Sequence, residues 1–272
     1  MTTAELIVTL EHSAPEPLLK LLQEIQKLEL EHPHGHPSLT KKIDRVATTT
    51  AAMSEQVPLP ESLQQWLSDY KQNLSTKAAK ARERFANELD ELLRPIGLRL
   101  SGALPELHAG LFTIEVDAEG TKVTLWYGRK QERLGHLALD SSKVKDYVEK
   151  QRKELGAKLV FEKFYAKLTQ AYQRAKRSHN EENVPITNVL VEMAFLLQKP
   201  VFYEDPRREY YIEYQRADFS YDLYQFRDSL IQKGLHLRVA TRVYNQRSMY
   251  LWIPERDEGQ GSRYSHLALR GA

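Results

Sequence analysis

Cysteine is absent from the 272 residues, which excludes disulfides, thiolate zinc ligands and thiol nucleophiles. No apolar run approaches the roughly 20 residues that span a bilayer. Met1 to Leu6 offers neither a basic n-region nor a sustained apolar stretch, so no signal peptide is expected. These absences predict a soluble, cytoplasmic protein without a membrane partner. No Walker loop, dinucleotide fingerprint or nucleophile elbow occurs, and no cofactor is expected. Charge of one sign is also scarce in the balance. A net charge of +2 implies no polyanion partner by itself, and only a local basic patch can do so.

What is present begins with a long stripe. Apolar residues recur at Leu63, Leu67, Tyr70, Leu74, Ala78, Ala81, Phe85, Leu89 and Leu92, about every 3.6 residues, the period of an α-helix. Pro60 precedes the run, and Pro95 with Gly97 stops it. The spacing predicts a helix over 61–94, roughly 50 Å long at about 1.5 Å per residue. Its eleven-residue repeat favours straight or slightly right-handed packing. Leu63, Leu67, Leu74, Phe85, Leu89 and Leu92 are expected to bury that face against other helices, a protein partner or a second copy of the chain. Upstream, Leu6, Val8 and Leu10 alternate and predict a short strand over 4–10. Leu18, Leu21, Leu22, Ile25 and Leu28 predict a helix over 16–31, and a weaker helix follows over 38–56. Residues 1–95 therefore read as a helical arm or bundle.

After Pro95 the period falls to two. Phe112, Ile114 and Val116 alternate, Asp117 to Gly120 turns the chain, and Val123, Leu125 and Tyr127 alternate back, which predicts a hairpin. A third strand is expected over 133–139. Asp140 or Ser141 caps a helix to about 155, and a second runs over 158–177. A buried helix over 186–198 leads to extended aromatic stretches at Val201–Tyr203 and Tyr210–Tyr214. Asp218 is expected to cap a helix over 219–233 that Gly234 closes. A second hairpin pairs Leu235–Tyr244 with Met249–Ile253, and the tail from Pro254 is expected to be mobile. The fold class is α+β, with a helical region 1–95 and a mixed domain 96–272 containing two hairpins.

From about 158 to 253 the order of elements resembles a winged-helix domain. It departs from that pattern between the second and third helices, where about twenty residues stand in place of the three or four of a helix-turn-helix. In the second hairpin, Leu235, Leu237, Val239 and Val243 share one face, with His236, Arg238, Arg242 and Tyr244 on the other. Arg247 stands at the tip, and Tyr250 and Trp252 share a face of the returning strand. Arginines bind phosphate and aromatic faces stack on unpaired bases. The alternative is that both rings pack inside the fold, covered by the arginines through cation–π contact. Residues 140–177 hold eleven Lys/Arg against five Asp/Glu. Lys150, Arg152, Lys153, Arg174 and Arg177 of this segment suit a nucleic-acid backbone, or equally a solvated face.

Asp205, Glu213 and Gln215 loosely resemble the acidic ligands of restriction-type nucleases, with Gln215 where a lysine is usual. That resemblance implies a Mg²⁺ site, although salt bridges to nearby arginines explain the same residues. His32, His34 and His36 alternate with Pro33, Gly35 and Pro37, more a loop than a metal site. Leu125-Trp126 with His136-Leu137-Ala138-Leu139 is echoed by Leu251-Trp252 with His266-Leu267-Ala268-Leu269, as a duplicated β-module would produce. Taken together, the residues predict a non-enzymatic nucleic-acid-binding or assembly subunit. The alternatives are a metal-dependent nuclease and a structural adaptor that binds no nucleic acid.

Overall fold

A computed structural model describes residues 1–11, 14–31, 38–54, 60–177, 182–244 and 246–270. It divides into two compact units, residues 1–87 with 116–122, and residues 88–115 with 123–272. The fold is α+β, with N-terminal helices followed by antiparallel sheets.

The first unit is built from helices α1 (Thr3–Leu10), α2 (Glu16–Glu31), α3 (Ser38–Ser54) and α4 (Glu61–Leu93) as far as Asn87. The strand expected over 4–10 is a helix. Leu6 and Leu10 lie one turn apart and are fully buried, while Val8, which completed the alternation, is 70% exposed. Thr2 and Glu5 start this helix with a capping box: the Thr2 hydroxyl accepts from the Glu5 N–H, and the Glu5 carboxylate accepts from the Thr2 N–H at 2.8 Å. The β-branched run in α3 is tolerated because Thr48 and Thr50 donate back to the Asp44 and Val46 carbonyls. Leu6, Leu22, Ile25, Ile43, Leu63 and Trp66 form the core.

The α4 stripe is only partly buried as expected. Leu63, Leu67, Phe85 and Leu89 are buried, whereas Leu74 and Leu92 are half-buried and Leu93 takes the buried position at the end. No side chain from residue 71 to 84 is buried. Small Ala78 and Ala81 alternate there with Lys77, Lys80 and Arg84, so the middle of the helix is held by helix propensity more than by packing. Leu63→Asp puts a carboxylate in the core and is expected to cost more than about 3 kcal/mol, with Leu74→Asp costing about 1 kcal/mol. Thermal melts followed by far-UV circular dichroism check the ranking, and equal melting temperatures for the two variants would contradict it.

The second unit contains two sheets, apart from residues 116–122 of the first sheet, which belong to the first unit. Strands β1 (Leu100–Ala103), β2 (Glu106–Ala109), β3 (Phe112–Val116), β4 (Lys122–Tyr127) and β5 (Glu132–Ala138) form a meander in sequence order. The turn between β3 and β4 is made by Asp117, whose carboxylate accepts from the N–H groups of Thr121 (2.7 Å) and Lys122 (3.1 Å) and from the Thr121 hydroxyl. Helices α5 (Ser141–Glu154), α6 (Phe161–Arg177) and α7 (Ile186–Leu196) follow, with β6 (Val184–Pro185) between the last two. The segment expected to be extended at Val201–Tyr203 is instead a short helix, α8 (Pro200–Glu204), started by Pro200 in its first turn. The helix expected over 219–233 is two, α9 (Arg216–Gln225) and α10 (Arg227–Gln232). Gln215 is the N-cap of α9, and Asp218 sits at its third position with its carboxylate on the Gln215 N–H. Gly234 follows α10 at φ 86°, where a Cβ would overlap the Arg270 carbonyl.

The second sheet corrects the expected second hairpin. Strands β7 (Leu235–Val239) and β8 (Leu251–Pro254) do not pair with each other; both pair with β9 (Gly261–Leu269), as does β6. The tail expected to be mobile thus supplies the central strand. Its nine residues are long enough for two partners in series: Gly261–Tyr264 pairs with β8, and Tyr264–Leu269 pairs with β7. A register shift at Arg238/Val239 marks the change. Phe164, Leu168, Met193, Phe219, Leu230 and Leu267 lie in the core between this sheet and the helices. No helix among the described residues is long and apolar enough to cross a membrane.

Candidate nucleic-acid interface

Between β7 and β8 the chain leaves the sheet over residues 240–244 and 246–250 and makes two 3₁₀ turns, Arg242–Tyr244 and Arg247–Met249. The face assignment inferred from alternation holds for β7 as far as Arg238, with Leu235 buried and His236 and Arg238 exposed. It fails from the strand's last residue on: Val239 and Val243, expected on the core face, are 58% and 77% exposed. Arg238, Arg242 and Arg247 are all exposed. The excursion is tied to β9 by the Ala240 N–H, which donates to the Arg263 carbonyl at 2.8 Å. The Tyr244 ring also stands edge-on to His266, 5.0 Å between centroids.

Tyr250 and Trp252 are not on this surface. They are 8% and 6% exposed, which corrects the expectation that one of them is accessible for base stacking. All four residues of β8 are buried because both of its faces are covered. Leu251 and Ile253 enter the helical core. Trp252 meets Tyr127 of β4 edge-on at 5.4 Å, and its carbonyl accepts from the buried Ser220 hydroxyl. Tyr250 lies under two guanidinium groups, Arg263 at 4.8 Å and Arg216 at 6.0 Å from its centroid. The rings are packed inside and covered by arginine, although by Arg216 and Arg263 instead of the arginines of the expected hairpin.

Glu132 organises the base of the excursion. One carboxylate oxygen meets Arg216 Nε at 2.5 Å and the other meets Arg247, while Arg216 also donates to the Tyr250 carbonyl. Glu132 and Arg263 escaped the sequence because they come from β5 and β9, and only their charge was visible there. Arg216, expected to pair with the acidic residues Asp205 and Glu213, meets Glu132 instead.

The basic segment 140–177 is largely neutralised along α5. Lys145 and Lys153 flank Glu149 at 2.9 and 2.8 Å, and Lys150 reaches Glu154 at 3.8 Å. Hydrogen bonds from Lys153 and Lys145 hold the Glu149 carboxyl down to about 2. Arg152 donates to the Ile96 carbonyl, and Arg174 stands 3.8 Å from Glu192. Arg177 is exposed in the last turn of α6. Five of the eleven basic side chains, Lys143, Lys145, Lys150, Lys153 and Arg174, therefore face carboxylates, and only Arg174 meets one from outside the segment.

Asp205 forms an ion pair with Arg207 at 2.7 Å, and Glu213 accepts a 3.4 Å hydrogen bond from Gln215. The strand expected to carry Glu213 and Gln215 is absent, since residues 211–215 have no regular structure. No group of three or more His, Asp or Glu suited to a metal occurs among the described residues; His32, His34 and His36 lie outside them. Both halves of the internal echo fall on hairpins, β4–β5 and β8–β9. No protein-family model, curated protein or solved structure matches the chain.

Proposed function

We propose that the protein is a non-enzymatic nucleic-acid-binding or assembly subunit that grips the phosphate backbone through the excursion after β7. The observation that carries this is the exposure of Arg238, Arg242 and Arg247, of which Arg247 meets Glu132. Guanidinium groups on an exposed loop suit phosphate oxygens. A winged-helix-like arrangement is supported by the order α6, β6, α7, α9–α10, β7, β9 and by strand order β6-β9-β7. In that arrangement the arginine excursion stands where a wing stands. Helix α9, in the place of a recognition helix, buries Phe219, Ser220, Asp222 and Leu223, so sequence reading in a groove is not expected of it. Binding is then independent of base sequence.

Arg238→Glu with Arg242→Glu tests this, with anisotropy of a labelled duplex as the measurement. The wild-type log affinity is expected to fall with log salt, and the double variant to flatten that slope by roughly one unit per lost phosphate contact, about two in all. Thermal stability is expected to survive, because both side chains are exposed. A wild-type protein with no measurable duplex affinity favours an adaptor instead. One observation supports that second function: Val191, Phe195, Tyr203 and Tyr211 are 53%, 46%, 58% and 40% exposed. Three of these, Val191, Phe195 and Tyr211, line an apolar cavity of about 410 Å³ between α7 and residues 211–216, the chemistry of a protein contact.

A further inference from the structure

A second cleft in the same unit has no part in phosphate binding. It encloses about 630 Å³ and is lined by Leu98, Arg99, Leu111, Phe112, Arg152, Leu155, Tyr221, Tyr224, Asp257 and Glu258 among others, a volume within the usual range for small ligands. Its charges are sorted by origin. Arg99 precedes β1 and Arg152 closes α5, whereas Asp257 and Glu258 come from the turn between β8 and β9. None of the four forms an ion pair with another described residue. Two guanidinium groups and two carboxylates therefore share one cleft without reaching each other.

Three of these groups stand on anchored ground. Arg152 Nη1 donates to the Ile96 carbonyl at 2.9 Å, which leaves the other terminal nitrogen for a ligand. Asp257 Oδ1 accepts from the Tyr224 hydroxyl at 2.5 Å, which leaves Oδ2. The turn bearing Asp257 and Glu258 ends at Gly259, where a Cβ would come within 2.7 Å of the Gly110 carbonyl, so that turn sits close against the one between β2 and β3. Such anchoring holds opposite charges apart without the entropy loss of ordering them on binding. Between them the floor is apolar: Leu98, Phe112 and Leu155 are 8%, 3% and 3% exposed.

We infer that this cleft binds a small zwitterion with an apolar body, its carboxylate on Arg99 and Arg152 and its ammonium on Asp257 and Glu258. The ligand class is an α-amino acid or a short peptide. Either brings both charges and an apolar side chain, and the length of the cleft decides between them.

Isothermal titration of the full chain with L-leucine, with the dipeptide leucyl-leucine, and with the N-acetylated and C-amidated dipeptides tests the inference. At least one of the two zwitterions is expected to bind at millimolar concentration or tighter. A preference for leucine over the dipeptide identifies an amino-acid site, and the reverse a peptide site. Each capped form is expected to bind at least about tenfold more weakly, the loss of one charged hydrogen bond. Arg99→Ala is expected to weaken the zwitterion but not the amidated form, and Glu258→Gln to weaken it but not the acetylated form. Both side chains are exposed, so unchanged far-UV circular dichroism is expected for both variants. Absence of heat with both zwitterions, or capped forms that bind as well as the free dipeptide, would overturn the inference. Duplex affinity is measured on the same variants and is expected to be unchanged, so failure here is distinct from failure of phosphate binding by the excursion.

Discussion

Phe219→Ala is expected to destabilise the second unit by about 3–5 kcal/mol, the usual cost of emptying an aromatic position in a closed core. Phe219 is fully buried in the first turn of α9. Its ring meets Tyr214 at 6.2 Å, and it lies in the cluster that also holds Phe164, Leu223 and Leu230. The surrounding groups have little room to collapse. Tyr214 is held by its hydroxyl on Asp222 at 2.7 Å, and Ser220, the next residue, is fixed by the Trp252 carbonyl. Urea unfolding followed by tryptophan fluorescence in a Trp66→Phe background measures the effect, since the two remaining tryptophans, Trp126 and Trp252, lie in this unit. Val191→Ala, at a position 53% exposed, is the control and is expected to change stability by less than about 0.5 kcal/mol. A Phe219→Ala loss no larger than that control would mean the cluster is not a packed core.

The second large effect is one of pH. Asp222 is 2% exposed, and burial pushes its carboxyl up to about 6, against the lowering effect of hydrogen bonds from the Ala157 N–H (2.8 Å) and the Tyr214 hydroxyl. Asp218, one turn earlier, is raised too, chiefly by burial, and accepts from the Gly156 N–H at 3.0 Å. Lys158 opposes both shifts, and Glu213 adds to that of Asp218. A carboxyl whose folded pKa lies above its unfolded value of about 3.9 binds more protons when folded. Its contribution to stability is therefore fully present below about pH 4 and is lost as pH rises through about 6, by the order of 3 kcal/mol for a shift of about two units. Asp222→Asn removes this slope. Its amide oxygen, placed where Oδ2 stands, can still accept from both the Ala157 N–H and the Tyr214 hydroxyl. The variant is expected to gain on the wild type between pH 4 and 7. The difference between the two proteins is the quantity to measure by denaturant unfolding at each pH, because carboxylates lowered by partners, such as Glu115 beside Lys130, tilt both curves the other way. A variant whose advantage does not grow with pH would show that Asp222 titrates normally.

Helices were legible wherever one stripe decided them. Leu18, Leu22 and Ile25 in α2, and Phe164, Leu168 and Ala171 in α6, repeat at helical spacing and are buried as that spacing requires. The β3–β4 turn was legible because Asp117 and Gly120 make it locally. Three kinds of element were hidden. In α1, eight residues satisfied both a two-residue and a four-residue period, and the capping box decided between them. Strands β1 and β2 carry too few apolar residues to show alternation: Leu100 is the one large apolar residue of β1, and Leu107 that of β2. The second sheet was misread because a hairpin is the nearest-neighbour guess, whereas residue 184 pairs with 267 and 235 with 269. At the candidate interface, the exposure of Arg238 followed from local alternation, whereas Arg242 and Arg247 lie in 3₁₀ turns beyond the strand, where alternation decides nothing. The burial of Tyr250 and Trp252 did not follow from it, since it depends on Tyr127, Arg216 and Arg263 arriving from elsewhere.

Strand β9 is the sole ladder partner of β6, β7 and β8 among the described strands. Each of these three strands can fray from β9 singly, whereas withdrawal of β9 strips all three at once. The arginine excursion has one end in β7 and the other in β8, so both of its ends are released in that same event.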